Sequence, residues 1–296
     1  MTHTRAAHIA AALTIAAALA LSTPSVAEKI VREDSIERMV IIDGESLDGW
    51  QVTEASLKPS AEHARSGKAM LFEVPIDWHG GEKKYPIGWP RCWLPLKPPQ
   101  DWSKWDRLSL WIYADYTRDT LPSRPLGLII TTKEYGGWQR SLDTLAKGEW
   151  RHFVFPLDTI PGRDKVVEIK FFISEAYYHD KETVRFFIDD FELIRYTRPT
   201  VVSIEPLARV CYADEPAMPV EVEVLGVPGE STVQLTLRLE AAGRALLETT
   251  RAVPRGRCRL ALRLPKGLKP GVYKLVAAVG DTTASAPLRL VDSPWQ

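Results

Sequence analysis

The side chains of this sequence best placed to do chemistry are flat and aromatic. Trp78, His79, Tyr85, Trp89 and Trp93 fall within one proline-rich stretch, Pro75 to Pro99. A second group comprises Tyr135, Trp138 and Arg140 in KEYGGWQRS, with Tyr177 and Tyr178 in SEAYYHD. Exposed rings stack on the C–H faces of sugars, and neighbouring Arg, Asp or Gln groups orient the hydroxyls. One stacked sugar covers only ~60 Å² of a ring, worth ~1.5 kcal/mol at about 25 cal/mol per Å². Two or three such platforms give roughly micromolar to millimolar affinity, which suits repeated gripping of a polymer. Packing is the competing use of the same rings, and Trp50, Trp105, Trp111 and Trp150 are assigned to it. Proline, glycine and charged neighbours argue against deep burial of Trp78, Trp89 and Trp138. Tyr177 and Tyr178 are adjacent, so at most one of them can face a core.

Covalent chemistry has less support. His63, His79, His152 and His179 lie beyond the first 27 residues, and none has H-x-H or H-E-x-x-H spacing. There is no G-x-S-x-G, and Cys92 lacks a recognisable partner. Glu134 and Asp143 flank Trp138, but nothing in the sequence sets them across one groove. A copper-dependent polysaccharide oxidase needs histidine at its mature N-terminus, whereas cleavage after residue 27 exposes Glu28. The expected role is therefore non-catalytic binding of an oligosaccharide or polysaccharide. Two alternatives stay open: a structural or assembly protein making protein contacts, and a divergent glycoside hydrolase or lyase.

The elements that must position these rings are strands. Short runs of Val, Ile, Phe, Tyr and Trp alternate with Gly, Pro and Asp turns, the pattern of an all-β sandwich. Strands are expected near Met39–Ile42, Ala69–Val74, Cys92–Leu96, Arg107–Ala114, Leu126–Thr132, Trp150–Leu157, Val166–Ser174 and Thr183–Tyr196. The prolines between Pro75 and Pro99 make a stiff loop or edge excursion, since proline donates nothing to a central ladder. Long ordered loops in compact domains are commonly functional.

The aromatic distribution divides the chain in two. Nine of the ten tryptophans fall between Trp50 and Trp150, while Tyr212 and Tyr273 are the only aromatics from Val201 to Pro294. The joint is expected at Tyr196–Thr200, giving domains 28–198 and 199–296. In the second, Val220, Val222 and Val224 alternate with Glu221 and Glu223, and Leu235, Leu237 and Leu239 with Thr236 and Arg238. Half-buried strands at that spacing point to a seven-strand immunoglobulin-like sandwich. Its loops gather no His, Asp, Glu or aromatic cluster, so a spacing role is expected.

Residues 1–27 read as a cleavable signal peptide: Arg5, the apolar run Ile9 to Leu21, then Ser25-Val26-Ala27. That run is short for a membrane span, no cysteine follows for lipidation, and no later segment is apolar enough to cross. A secreted or periplasmic location follows. Balanced charge, 38 basic against 38 acidic residues, offers no case for nucleic acid or an anionic membrane. Of three cysteines, Cys211 and Cys258 could pair within the second domain, leaving Cys92; three buried thiols are the alternative.

The stretch from Gly148 to Tyr196, with G-x-W entering a strand that ends in Pro-Leu and a final strand bearing Ile188-Asp189-Asp190, resembles the galactose-binding-like superfamily. Its members include many secreted carbohydrate-binding modules. The resemblance covers about residues 40–197 and implies a jelly-roll sandwich. Lys269-Pro270-Gly271-Val272-Tyr273 is similar to a late turn of bacterial immunoglobulin-like or fibronectin-like spacers. The first resemblance also implies a structural calcium ion, held by Glu45, by backbone oxygens near Ser66-Gly67-Lys68 and by Asp189. Calcium takes six to eight oxygens, mixing carboxylates and carbonyls. Gly44 stands where such families carry phenylalanine, which would let the register slip to Asp43. A glycoside hydrolase is the partner such a module would serve.

Overall fold

The computed structural model describes residues 29–81, 86–208 and 210–293, so the 1–27 leader and Tyr85 lie outside the described residues. Regular structure is almost wholly strand, interrupted by three-residue 3-10 turns. No helix of the described residues is long and apolar enough to cross a membrane.

Residues 29–196 supply β1 (Lys29–Arg32), β2 (Ile36–Ile42), β3 (Gln51–Thr53), β4 (Ser56–Ser60), β5 (Ala69–Pro75) and β6 (Arg91–Gln100). They continue with β7 (Arg107–Tyr116), β8 (Gly127–Thr132), β9 (Gly136–Ser141), β10 (Trp150–Pro156), β11 (Val166–Phe172) and β12 (Thr183–Tyr196). One sheet runs β1-β2-β12-β5-β4, with β7 on the other flank of β12 and β10 beyond it. The second runs β3-β6-β11-β8-β9. Alternation builds the core between them. Leu108, Leu110, Ile112 and Ala114 of β7 face inward, while Ser109, Trp111, Tyr113 and Asp115 face outward. Phe72, Leu94, Ile130, Phe171 and Phe186 meet in the same interior.

The long β12 organises its sheet. It pairs with β5 as far as Ile188↔Met70, then with β2 from Phe191↔Ile42. Asp190 lies in the left-handed region (φ 47°) at the irregularity between these partners. Such a bulge re-aims side chains and changes what the strand can pair with.

Residues 200–291 supply β13 (Thr200–Pro206), β14 (Val210–Tyr212), β15 (Ala217–Leu225), β16 (Thr232–Ala241), β17 (Arg244–Pro254), β18 (Gly256–Arg263), β19 (Gly271–Val279) and β20 (Thr282–Val291). They form sheets β13-β15-β18 and β14-β20-β19-β16-β17 around an aliphatic core that includes Val220, Val222, Leu235 and Leu237. There are eight strands here, one more than expected. Glu223, placed by alternation on the outer face, is nonetheless buried. Its carboxylate pairs with Arg107 of the first sandwich, and Arg257 lies 3.5 Å from it. Asp106 likewise takes the Arg255 guanidinium and the Tyr196 N–H (2.8 Å). All three cysteines are free thiols, so no Cys211–Cys258 bridge is formed.

Candidate functional site

The outer face of the first sandwich's five-stranded sheet, β3-β6-β11-β8-β9, combines rings with polar groups. In β6, Cys92, Leu94 and Leu96 are buried, so Arg91, Trp93 and Pro95 point outward. The same alternation turns Glu168, Lys170 and Phe172 of β11 outward. Register then lines up Gln51, Trp93, Lys170, Ile129 and Gln139 across the five strands. The adjacent row is Thr53, Arg91, Phe172, Gly127 and Ser141. A Cβ on Gly127 would lie 2.2 Å from the Phe172 ring, so only glycine lets that ring settle on the backbone. Trp89, 59% exposed, stands beside it with ring centroids 5.7 Å apart. Arg91 donates to the Trp89 carbonyl (3.1 Å), and its guanidinium lies 5.8 Å from the Trp93 ring.

One buried carboxylate anchors the loop that carries Trp89. Glu175 accepts the Asp77 N–H (3.0 Å) on one oxygen and the Gly88 N–H (2.8 Å) on the other. Its backbone carbonyl accepts the Trp78 indole N–H at 3.1 Å. Asp77 and Gly88, between β5 and β6, therefore close on a single residue, and Glu54 holds the Trp89 N–H at 2.8 Å; the second half of the proline-rich stretch is not a loop but strand β6. Beside the loop base, Asp77, His79 and Asp180 bring ligand atoms within 4.8 Å of one another. Lys181 Nζ is 2.7 Å from the Asp77 carboxylate and, by that hydrogen bond, holds its pKa below the ordinary range.

The expected ligand residues separate into groups. Trp89 and Tyr177 are exposed, Tyr177 by 45%, and the Tyr177 hydroxyl accepts from Arg124 (3.4 Å). Trp78 is half-buried at the loop base, with His79 exposed on the same turn. Two assignments are corrected. Trp138 is only 7% exposed: it sits on edge strand β9, packs edge-on to Phe155 (5.6 Å), and is covered by the Arg140 guanidinium (4.1 Å). Trp138 therefore closes the sandwich edge and forms no bare platform, while Arg140 stays exposed above it. Tyr178 is 2% exposed and donates its hydroxyl to the Pro125 carbonyl (2.6 Å), so its ring belongs to the core. Phe172, Arg91, Gln51, Gln139 and Arg124 were not expected here. The alternation of RCWLPL and EIKFF held a signal for Arg91 and Phe172; the cross-strand register that joins the others did not lie in the sequence.

The outer face of the seven-stranded sheet is capped by the segment between β4 and β5. His63 stacks on Tyr113 (4.0 Å), and the Arg65 guanidinium lies 3.8 Å over Trp111. His152 stacks on the same indole at 4.3 Å and shares a hydrogen bond with the Ser109 hydroxyl (2.9 Å). Burial and the nearby Arg65 charge lower the His152 pKa. Ser109 is buried, and Glu192 pairs opposite it from β12, on the far side from His152. No carboxylate–imidazole–hydroxyl relay results from that order. Burial pushes the Glu192 pKa up to about 7, against the pull of Arg38 at 3.2 Å.

The three residues expected around calcium sit in neighbouring segments. Asp189 is fully buried at the β12 irregularity, accepting the Arg65 and Asp190 N–H groups (both 2.8 Å). Burial raises its pKa, and those amides oppose the rise. The 65–68 turn that caps Asp189 also meets Glu45: a Cβ on Gly67 would lie 2.1 Å from its carboxylate. A Cβ on Gly44 would lie 1.7 Å from the Lys68 carbonyl, so glycine is required there (φ 73°). Lys68 Nζ is 3.6 Å from Glu45 and supplies some positive charge.

No family model and no curated protein matches the sequence. Among solved structures, the chain is similar to a carbohydrate-binding module specific for non-crystalline cellulose, CBM28, at 14% identity and a TM-score of 0.31, covering 49% of this chain and 86% of that one. It is similar to the tandem CBM22 domains of Paenibacillus barcinonensis Xyn10C at 11% identity and a TM-score of 0.32, covering 91% and 88%. It is also similar to the agarase AgWH50C at 8% identity and a TM-score of 0.40, covering 53% of this chain but 24% of the agarase, so it spans about a quarter of that enzyme's length.

Proposed function

We propose that the chain binds an oligosaccharide or polysaccharide on the outer face of the five-stranded sheet, breaking no bond. The observation that carries this reading is Trp89: an indole 59% exposed beside Phe172 and Arg91, on a loop fixed by the buried Glu175. A large ring held open to solvent by buried hydrogen bonds is pre-organised for a flat ligand, which reduces the ordering cost of binding. Gln51, Gln139 and Lys170, in the row beside it, supply the orienting groups. In the same reading the second sandwich is an immunoglobulin-like spacer, the 1–27 leader directs export, and a glycoside hydrolase is the partner served. Glu45, the Lys68 carbonyl and Asp189 would hold a calcium ion, whose charge would stabilise the capped face away from the glycan.

Affinity electrophoresis against a broad polysaccharide panel tests the proposal. At least one polymer is expected to retard the folded protein, and Trp89→Ala is expected to weaken that retardation. No retardation by any glycan would overturn the reading. Binding of a protein on the same rings, abolished by Trp89→Ala, would favour an assembly role instead.

A further inference from the structure

We infer that the glycan taken by this face is anionic, carrying uronate carboxylates or sulfate esters, and that Arg91 and Arg124 are the groups that bind its charge. The inference rests on the glycan reading above and adds a ligand class to it.

The arginines of the two faces differ. On the seven-stranded sheet Arg38, Arg65, Arg107 and Arg185 each have a carboxylate partner. Among the described residues, Arg91 and Arg124 have none. Arg91 donates to the Trp89 carbonyl and Arg124 to the Tyr177 hydroxyl, so both guanidiniums are tethered beside exposed rings. Each fork has five N–H donors, and one contact apiece leaves most of them for a ligand.

The acids nearby are already engaged. Glu168 pairs with Lys170 at 2.8 Å, Glu54 accepts the Trp89 N–H, and Glu175 is buried against two amides. Glu54 and Glu175 keep their charge but are held by backbone amides beneath the loop, so the groups beside the rings with N–H donors free for a ligand are the Arg91 and Arg124 guanidiniums. A pyranose stacked on Trp89 would carry its carboxylate or sulfate at the ring periphery, level with a guanidinium beside the indole. Planar guanidinium matches a two-oxygen anion with two parallel hydrogen bonds, which lysine does not reproduce.

The test is affinity electrophoresis of the full chain in four matrices: polygalacturonate, its carboxyl-reduced form, a sulfated galactan and its desulfated form. At least one charged polymer is expected to bind at least tenfold more tightly than its uncharged counterpart, with retention falling in about 0.5 M NaCl. Arg91→Gln and Arg124→Gln are each expected to weaken that binding roughly tenfold. Carboxylate and sulfate arms identify which anion is read. Equal retention by the uncharged counterparts, or unchanged retention in both arginine variants, overturns the anionic assignment while leaving glycan binding intact. No retention by any of these polymers or the wider panel overturns both.

Discussion

The two outer faces of the first sandwich are built from the same residue types and end in opposite states. On the seven-stranded sheet, Trp111 is held between Arg65 and His152, His63 lies on Tyr113, and Arg185 is engaged by Asp115 and Glu62. Every ring and charge named there has a partner within the molecule. On the five-stranded sheet, Trp89 and Tyr177 face solvent, and Arg91 and Arg124 lack carboxylates. The difference arises from the 61–68 segment, which caps the first sheet with His63 and Arg65. Aromatic content therefore does not mark a ligand face. In the reading proposed here, what marks it is aromatic and cationic groups held in place but left unsatisfied.

The largest effect that could break this comparison is expected at Glu175. Glu175→Ala leaves the Asp77 and Gly88 N–H groups without their charged acceptor and frees both ends of the Trp89 loop. Stability is expected to fall by about 3 kcal/mol in urea unfolding, and glycan retardation to disappear. Undiminished retardation would show that the loop needs no anchor. A crossed pair of tryptophans comes next. Trp111→Ala is expected to cost ~2 kcal/mol of stability through lost stacking and packing, with glycan retardation unchanged. Trp89→Ala is expected to cost about 1–2 kcal/mol of binding and under ~0.5 kcal/mol of stability. The reverse result would exchange the roles of the faces.

Metal removal sharpens the same contrast. Calcium bound only to the native state stabilises by about 2.7 kcal/mol at a hundredfold excess over Kd. Chelator is expected to lower the melting temperature by several degrees, and Asp189→Ala to abolish that dependence while Asp190→Ala retains it. Glycan retardation at low temperature should survive chelation, because Asp189 belongs to the capped sheet. An unchanged melting curve, with no copurifying calcium, would remove the ion from the account.

The smallest effect concerns Glu192 on that capped face. Its folded-state pKa is raised to about 7 from 4.5, chiefly by burial. Between those values the unfolded chain ionises while the folded carboxyl keeps its proton, so stability falls as pH rises through this window. The loss should be of order 1 kcal/mol, since solvent on the open flank screens it. Urea midpoints from pH 4.5 to 8 should slope downward more in the wild type than in Glu192→Gln. Parallel curves would show that Glu192 is ionised throughout.

The sequence made the central strands legible because their pattern is dictated by burial. LSLWIYAD alternates about the core, and VRFFIDDFELIRY does so on either side of a run, Phe186–Asp189, that is buried on both faces before the bulge; β7 and β12 follow them. The unexpected strands β1, β3, β4 and β9 are all sheet edges, with sequences such as SLKPS and GGWQRS. Edge strands tolerate proline, glycine and charge, so their composition resembles that of loops. The site was legible in part for a related reason. Trp89 and the pairing of one inward with one outward tyrosine at 177–178 followed from local chemistry. Trp138 did not, because an edge strand lets a large ring fold over the open side of the sandwich. Glu175 was also hidden: its role depends on two amides 98 and 87 residues away in sequence.

Oxidative footprinting of the full chain, read by mass spectrometry with and without a retained polysaccharide, tests the central claim most directly. Trp89 and Tyr177 are expected to be protected by the glycan, while Trp111 and His152 on the capped face react equally in both states. Protection of Trp111 and His152 with Trp89 left reactive would contradict the assignment of the ligand to the five-stranded sheet.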